Sequence, residues 1–147
     1  MLIFELEGNA RVVLRPSGTE PKAKIYSETM TAASADRSIE TDREQMAREA
    51  KKLATDFCID MLERVNIKLP HWAMDINDLV SIEDKLFWSK ELVPQLLREI
   101  SDNPDNAAAW LSEQLDSSSR ELLRPGIEAL AHQREGNQQT LLACFNS

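Results

Sequence analysis

The sequence of 147 residues has two cysteines, two histidines and four glycines. Cys58 and Cys144 lie far apart with no secretory signal before them, which predicts thiols in a reducing compartment. The N-terminus alternates apolar and acidic residues instead of beginning with the basic region of a signal peptide. No stretch approaches the roughly 18 apolar residues of a membrane span. These absences argue against a secreted disulfide scaffold and a membrane protein, and they predict a cytoplasmic location.

Residues that could hold a metal ion are equally sparse. His71 and His132 have no Cys, Asp or Glu partner at metal-ligand spacing, so solvent-exposed or capping roles are favoured. Asp75 and Asp78 are three positions apart but stand alone, and carboxylates at a helix start explain them better than ligation does. The sequence therefore predicts no cofactor in this chain.

The charge is unevenly distributed along the chain. The formal net charge is -8, yet residues 1–28 hold four basic and four acidic groups and sum to zero. The rest of the chain has 13 basic and 21 acidic residues. Such an acidic surface repels nucleic acid and anionic membranes, so we expect neither as a partner.

The first 28 residues read as strands. Residues 2–7 mostly alternate apolar and polar side chains, Gly8-Asn9 is a two-residue turn signal, and residues 10–15 form the second strand of a hairpin. Residues 23–28 follow as a third strand. Alternation predicts that it directs Ala23, Ile25 and Ser27 to one side and Lys24, Tyr26 and Glu28 to the other.

A long helix is predicted next, after a small polar linker over residues 29–40. Residues 41–44 read Thr-Asp-Arg-Glu and fit a capping box. The helix ends near Asn66. Its apolar stripe, at spacings of three or four, contains Met46, Ala50, Leu53, Phe57, Met61 and Val65. The predicted fold class is α+β, a small antiparallel sheet packed on a long helix.

Beyond Pro70 the strand signals stop, and the sequence predicts an all-helical extension. The chain is therefore divided near residues 66–70 into domains at 1–66 and 67–147. Helix starts are expected at Ser81, at Asn103-Pro104 and at Arg120, with an apolar face through Leu86, Phe87, Val93, Leu97 and Ile100. Breaks are expected at Pro94, at Ser117 to Ser119, near Pro125-Gly126 and at Gly136, and residues 137–147 are expected to fray. Trp72, Trp88 and Trp110 are predicted core residues.

The loop between the second and third strands carries most of the functional information. Residues 15–22 read Arg-Pro-Ser-Gly-Thr-Glu-Pro-Lys. Arg15 offers a planar set of N–H donors that suits two phosphate oxygens, and Ser17 and Thr19 add hydroxyl donors. Gly18 lets successive backbone N–H groups converge on an anion. The pattern predicts an anion site, although composition alone leaves open a hairpin connection that merely uses common turn residues.

The same string closely resembles the phosphate-binding loop in the last domain of the α-D-phosphohexomutases, the phosphoglucomutases and phosphomannomutases. The resemblance includes residues 11–14 before the loop and 23–26 after it, and it extends over about residues 2–66. In that family, a serine of the first domain carries a phosphoryl group, the second domain binds Mg²⁺, and the third reads the sugar. The last domain binds the phosphate already on the substrate. The resemblance implies that Arg15, Ser17, Gly18 and Thr19 bind this phosphate, with Lys22 a weaker candidate.

The chain also departs from that family. It has no phosphoserine loop and no run of closely spaced aspartates for Mg²⁺. The family's last domain normally begins with a strand and a helix before this hairpin, so Met1 is expected to be an internal start, a truncated reading frame or a cloned fragment. Because phosphoryl transfer needs nucleophile, metal and phosphate clamp together, we expect this chain to be inactive alone and to bind phosphosugar weakly.

Three functions stay open from the sequence. The first is the substrate-phosphate-binding domain of an enzyme that moves a phosphoryl group between the 1 and 6 positions of a hexose. Its expected partners are a hexose phosphate and the missing mutase domains. The second is a non-enzymatic interaction module that uses the acidic helical tail, and the third is an unrelated phosphate-binding domain. Unpaired strand edges also suggest a homodimer.

Overall fold

A computed structural model describes residues 1–19, 23–32, 38–133 and 138–145. The chain has two compact units, Met1–Asn66 and Ile67–Ser147. The first combines a three-stranded antiparallel sheet with a helix, and the second is helical where it is described, so the predicted α+β class is confirmed. No helix in the described ranges combines the length and the apolar character that a membrane crossing requires.

The sheet of the first unit has the order β1-β2-β3. Its strands are β1 (Leu2–Leu6), β2 (Ala10–Pro16) and β3 (Ala23–Thr29). Both strand pairs are antiparallel, and Val12 at the centre lies opposite Phe4 on one side and Ser27 on the other. The central strand therefore sets the register of the whole sheet.

The turn between β1 and β2 lies where the sequence predicts it, but it is one residue longer. Leu6 pairs with Ala10, so three residues connect the strands and β1 ends one residue before its predicted end at residue 7. Gly8 and Asn9 have φ angles of 76° and 58°. Gly and Asn are the residues that adopt a positive φ most readily, so both suit this turn.

The long helix α1 (Ile39–Arg64) begins earlier than the sequence predicts. The predicted capping box at residues 41–44 is wrong because Ser38 is the N-cap. Ser38 has an extended backbone, and its Oγ accepts the N–H of Thr41 at 3.2 Å. The helix ends as predicted, since Asn66 adopts a left-handed φ of 61° just beyond it.

Helix α1 covers one face of the sheet. The Ser27 hydroxyl donates to the carbonyl of Ala50 at 2.7 Å. The Thr29 hydroxyl donates to the carbonyl of Met46 at 3.2 Å. Ile25 is half-buried like these two residues. Lys24, Tyr26 and Glu28 are exposed, which confirms the predicted alternation of β3.

The apolar stripe of α1 is only partly covered. Phe57 packs against Phe4 of β1, with ring centroids 5.1 Å apart. Met61 is 38% exposed and Val65 63% exposed, so the C-terminal end of the stripe is left uncovered by the described residues. Val12 is the one buried hydrophobic residue among those described in this unit.

The second unit is built from short helices. A 3₁₀ helix over His71–Asp75 comes first. The α-helices are α2 (Ile82–Phe87), α3 (Val93–Asp102), α4 (Ala107–Gln114), α5 (Ser117–Gln133) and α6 (Gln138–Ala143). Ser81 caps α2 as predicted, because its Oγ accepts the N–H of Asp84 at 3.1 Å.

Pro94 interrupts the second helical segment, as the sequence predicts, through a π-helical turn over Trp88–Leu92. This wider turn changes the helical phase on either side of it. Phe87 is 55% exposed instead of lying on the apolar face, whereas Trp88 and Leu96 are buried. The predicted face is therefore wrong at Phe87.

Three further helix boundaries differ from the sequence prediction. Helix α4 begins at Ala107, not at Pro104, because residues 104–106 form a turn. Ser117 to Ser119 are the first turn of α5, and Asp116 caps it by accepting the N–H of Ser119 at 2.8 Å. The helix continues through Pro125 and Gly126, where it packs on the 3₁₀ helix. The predicted stop at Gly136 lies outside the described residues.

The C-terminal segment packs where it is described. Leu141, Cys144 and Phe145 are all buried, so the predicted fraying over 137–147 is wrong for residues 138–145. Of the three tryptophans, Trp72 and Trp88 are buried core residues as predicted, and Trp110 is half-buried.

Candidate phosphate-binding site

The candidate site lies at the end of the sheet where β2 leads towards β3. Arg15 and Pro16 are the last two residues of β2, and the chain leaves the strand at Ser17. These residues line a pocket of about 260 Å³ together with Gly18, Thr19 and Lys24. The structure thus brings together Arg15, Ser17, Gly18 and Thr19, and it adds Lys24. Lys22, the weaker candidate, lies outside the described residues, as do its neighbours at 20 and 21.

In the described part of the loop, Ser17 is half-buried, and Gly18 and Thr19 are exposed. The backbone N–H of Thr19 points to the Ser17 Oγ at 3.4 Å, a long contact that leaves the Ser17 hydroxyl proton available as a donor. Gly18 does not have a positive φ, and a Cβ there would meet no atom within 4 Å. The glycine is therefore not required by backbone strain or packing. Its effect is to leave the loop backbone uncovered by a side chain.

Two cations lie side by side at this pocket. Arg15 is directly opposite Lys24 in the β2–β3 register. Like charges directly opposite each other in a sheet are destabilising, and an anion between them would remove that repulsion. Among the described residues, no salt bridge is found for either cation. The pocket therefore concentrates positive charge on an otherwise acidic chain.

The same face of the sheet has a neutralised cation for comparison. Arg11 lies opposite Glu28, with Nε to Oε2 at 2.8 Å and Nη2 to Oε1 at 3.1 Å. The hydrogen bonds from Arg11 and its positive charge hold the pKa of Glu28 below its usual value, and Glu28 raises the pKa of Arg11. Both side chains are about half exposed. One arginine of β2 is thus paired with a carboxylate, and the other faces a lysine.

Sequence reasoning did not select Lys24. It placed this residue on the same face as Tyr26 and Glu28, which is correct, but it did not set β3 in register with β2. Counting back from the Arg11–Glu28 pair along two antiparallel strands puts Arg15 against Lys24. The opposite charges of Arg11 and Glu28 are the sequence signal that sets this register and so identifies Lys24.

Other kinds of site have little support in the described part of the chain. The described residues contain no group of three or more His, Cys, Asp or Glu side chains that could hold a metal ion. Cys58 is half-buried and Cys144 is buried. Burial raises the pKa of the Cys144 thiol, which reduces the thiolate available at neutral pH.

Fold and pocket together define a small α+β domain with a loop pocket lined by two cations and two hydroxyl side chains. Residues 2–56 match the family model of the phosphoglucomutase/phosphomannomutase C-terminal domain. Residues 2–56 of the N-terminal unit are therefore similar to this domain family, in agreement with the resemblance of the loop string. The match includes all three strands, the loop and α1 as far as residue 56, and it stops before the helical unit. The chain matches no curated protein and no solved structure.

Proposed function

We propose that the N-terminal unit binds the phosphate group of a hexose phosphate. It would serve as the substrate-phosphate-binding domain of a phosphoglucomutase- or phosphomannomutase-like isomerase of carbohydrate metabolism, acting in the cytoplasm. The observation that carries the proposal is the pocket in which Arg15 and Lys24 meet the hydroxyl-bearing loop, within the segment that matches the family.

Each lining residue has a distinct part in this proposal. The Arg15 guanidinium donates two parallel hydrogen bonds to phosphate oxygens, which a planar group does better than an ammonium. Lys24 adds a second positive charge from the neighbouring strand. Ser17 and Thr19 donate hydroxyl hydrogen bonds, and the uncovered backbone at Gly18 lets the phosphate approach. Lys22 stays a weaker candidate.

We further propose that this chain does not interconvert hexose phosphates without the other mutase domains. Positioning and charge stabilisation in phosphoryl transfer depend on a nucleophile, a metal ion and a clamp acting together. The resemblance assigns Mg²⁺ to another domain of the family, and the described residues offer no cluster for it. The part of this chain in the reaction is to hold and orient the substrate through its phosphate.

Isothermal titration of the full chain with glucose 6-phosphate and mannose 6-phosphate tests the proposal, with Arg15→Ala as the variant. Charge-assisted hydrogen bonds are each worth about 1.5–3 kcal/mol, so we expect affinity to fall about 10- to 100-fold. Arg11→Ala is the matched control, because Arg11 is on the same strand and face but outside the pocket. It should leave affinity unchanged.

Two results would contradict the proposal. One is no heat of binding from the wild-type chain at millimolar hexose phosphate. The other is an equal loss of affinity in the Arg15 and Arg11 variants, which would indicate a general charge effect. Interconversion of glucose 1- and 6-phosphate by the purified chain would contradict only the expected lack of activity.

A further inference from the structure

The outer edge of β1 is open and apolar. β1 pairs with β2 on one side, and no described strand pairs with its other side. Its apolar residues Leu2, Ile3, Phe4 and Leu6 are 58%, 51%, 36% and 41% exposed. Natural edge strands usually carry charges, prolines or bulges that prevent pairing with another chain, and β1 has only Glu5.

Helix α1 extends towards that open edge. The carbonyls of Met46 and Ala50 accept hydrogen bonds from β3, whereas Phe57 packs on β1, so the helix crosses the sheet from β3 to β1. Met61 and Val65 come about 6 and 12 Å farther along the axis, at 1.5 Å per residue. Both are exposed. The helix therefore has apolar side chains left to cover one more strand beyond β1.

We propose that β1 pairs in antiparallel fashion with β1 of a second copy of this chain. The two-fold axis passes next to Phe4 and is perpendicular to the sheet. The dimer has a continuous six-stranded sheet with both α1 helices on one face. Phe4 then lies opposite Phe4 of the second copy, and Leu2 lies opposite Leu6 of the second copy.

The distribution of charge favours this register of the two β1 strands and favours a second copy of the chain as the partner. On the outer face, Ile3 lies opposite Glu5 of the second copy, so each carboxylate faces an apolar side chain and stays beside Arg11 of its own chain. Moving the axis to Glu5 would place the two carboxylates against each other, which is unfavourable. Moving it to Ile3 would leave Leu6 unpaired. Residues 1–28 have no net charge, whereas the rest of the chain carries the whole formal charge of -8. Electrostatic repulsion between two copies is therefore smaller when they meet through this segment than through the acidic remainder.

Sedimentation equilibrium of the full chain tests the proposal through one position. Ile3→Glu places a carboxylate opposite Glu5 of the second copy at two symmetric places, and we expect the dimer dissociation constant to rise about tenfold. Ile3→Lys is the matched control, since it removes the same apolar side chain but faces Glu5 with the opposite charge. It should dimerise better than Ile3→Glu, and Glu5→Lys added to Ile3→Glu should restore dimerisation.

A chain that stays monomeric over the whole concentration range would overturn the proposal, as would equal dissociation constants for Ile3→Glu and Ile3→Lys. The second result would place the dimer contact elsewhere, for example in the helical unit. Hydrogen exchange of the wild-type chain is an independent measurement that needs no variant. The amides of Leu2–Leu6 should become protected as concentration rises, and unchanged exchange there would also reject the pairing.

Discussion

Arg11 and Arg15 are exposed cations on the same face of β2, four positions apart, and their cross-strand neighbours differ. Glu28 opposite Arg11 makes a closed ion pair, whereas Lys24 opposite Arg15 doubles the positive charge. In an exposed pair, solvent screening keeps the contribution to stability small. The role of each arginine therefore depends on the residue across the strand more than on the arginine itself.

At the same scale, Asp116 gives a prediction for the dependence of stability on pH. Its carboxylate accepts from the Ser118 hydroxyl at 2.6 Å and from the Ser119 N–H at 2.8 Å, and these hydrogen bonds lower its pKa. Because the folded pKa lies below the unfolded value of about 3.9, the stabilisation is present above that value. It is lost as the pH falls through the folded pKa.

Asp116→Ala should therefore lower the melting temperature at pH 7. The difference in melting temperature between wild type and variant should become smaller as the pH falls below about 4. Melts followed by far-ultraviolet circular dichroism from pH 7 to pH 2 measure this. Asp105→Ala, at an exposed turn position, is the control. A constant difference between wild type and Asp116→Ala at every pH would count against the capping role.

At the scale of elements, Gly126 of α5 lies against the 3₁₀ helix and Ile76, the residue that follows it. A Cβ on Gly126 would lie 2.6 Å from Cγ1 of Ile76 and 3.2 Å from the carbonyl oxygen of Trp72. Ile76 is fully buried, so it has little room to move. The absence of a side chain at one helical position thus permits two elements of the second unit to pack together.

Gly126→Ala should destabilise the protein. Alanine in a helix is normally better than glycine by about 1 kcal/mol, but here overpacking should outweigh that and lower the free energy of unfolding by about 1–3 kcal/mol. Urea unfolding measures the change. The variant Gly126→Ala/Ile76→Ala should lose less than the sum of the single losses, because Ile76→Ala removes the clashing atom. Strict additivity would mean that the clash is not the cause.

Sequence patterns predicted the strands and turns that depend on neighbouring residues alone. Alternation located β3 and its two faces, and the positive-φ residues Gly8 and Asn9 located the turn. The start of α1 was missed because Ser38 and Thr41 are equally good caps in sequence, and only the backbone at Ser38 decides between them.

Other differences come from features that a local pattern of residues does not show. Pro125 is a local helix breaker, yet packing of α5 on the 3₁₀ helix keeps the helix continuous. The π-helical turn before Val93 shifts the helical phase, which a period of 3.6 residues cannot anticipate. At the candidate site, the loop string pointed to Arg15 and its neighbours, but Lys24 required the strand register.

At the scale of the whole molecule, the pocket is confined to one of the two units. All its lining residues come from β2, β3 and the loop between them, and each unit has its own internal contacts. Ligand binding should therefore stabilise the first unit and leave local opening in the second unchanged.

Hydrogen–deuterium exchange with and without glucose 6-phosphate tests this expectation. Protection should increase over β2 and β3, with no change over α3 and α5. The Arg15→Ala variant serves as the control, because it should show no ligand-induced protection in either unit. Equal protection of both units would show that binding is coupled across the chain.

The burial of Val12 alone among the described hydrophobic residues of the first unit has an energetic consequence. A unit with so little buried apolar area gains only a small margin of folding free energy. A ligand at 100 times its dissociation constant adds about 2.7 kcal/mol to the folded state. For a domain with a core this small, such a contribution would be comparable to the folding margin itself, so binding of the proposed hexose phosphate would couple occupancy of the pocket to folding of the domain.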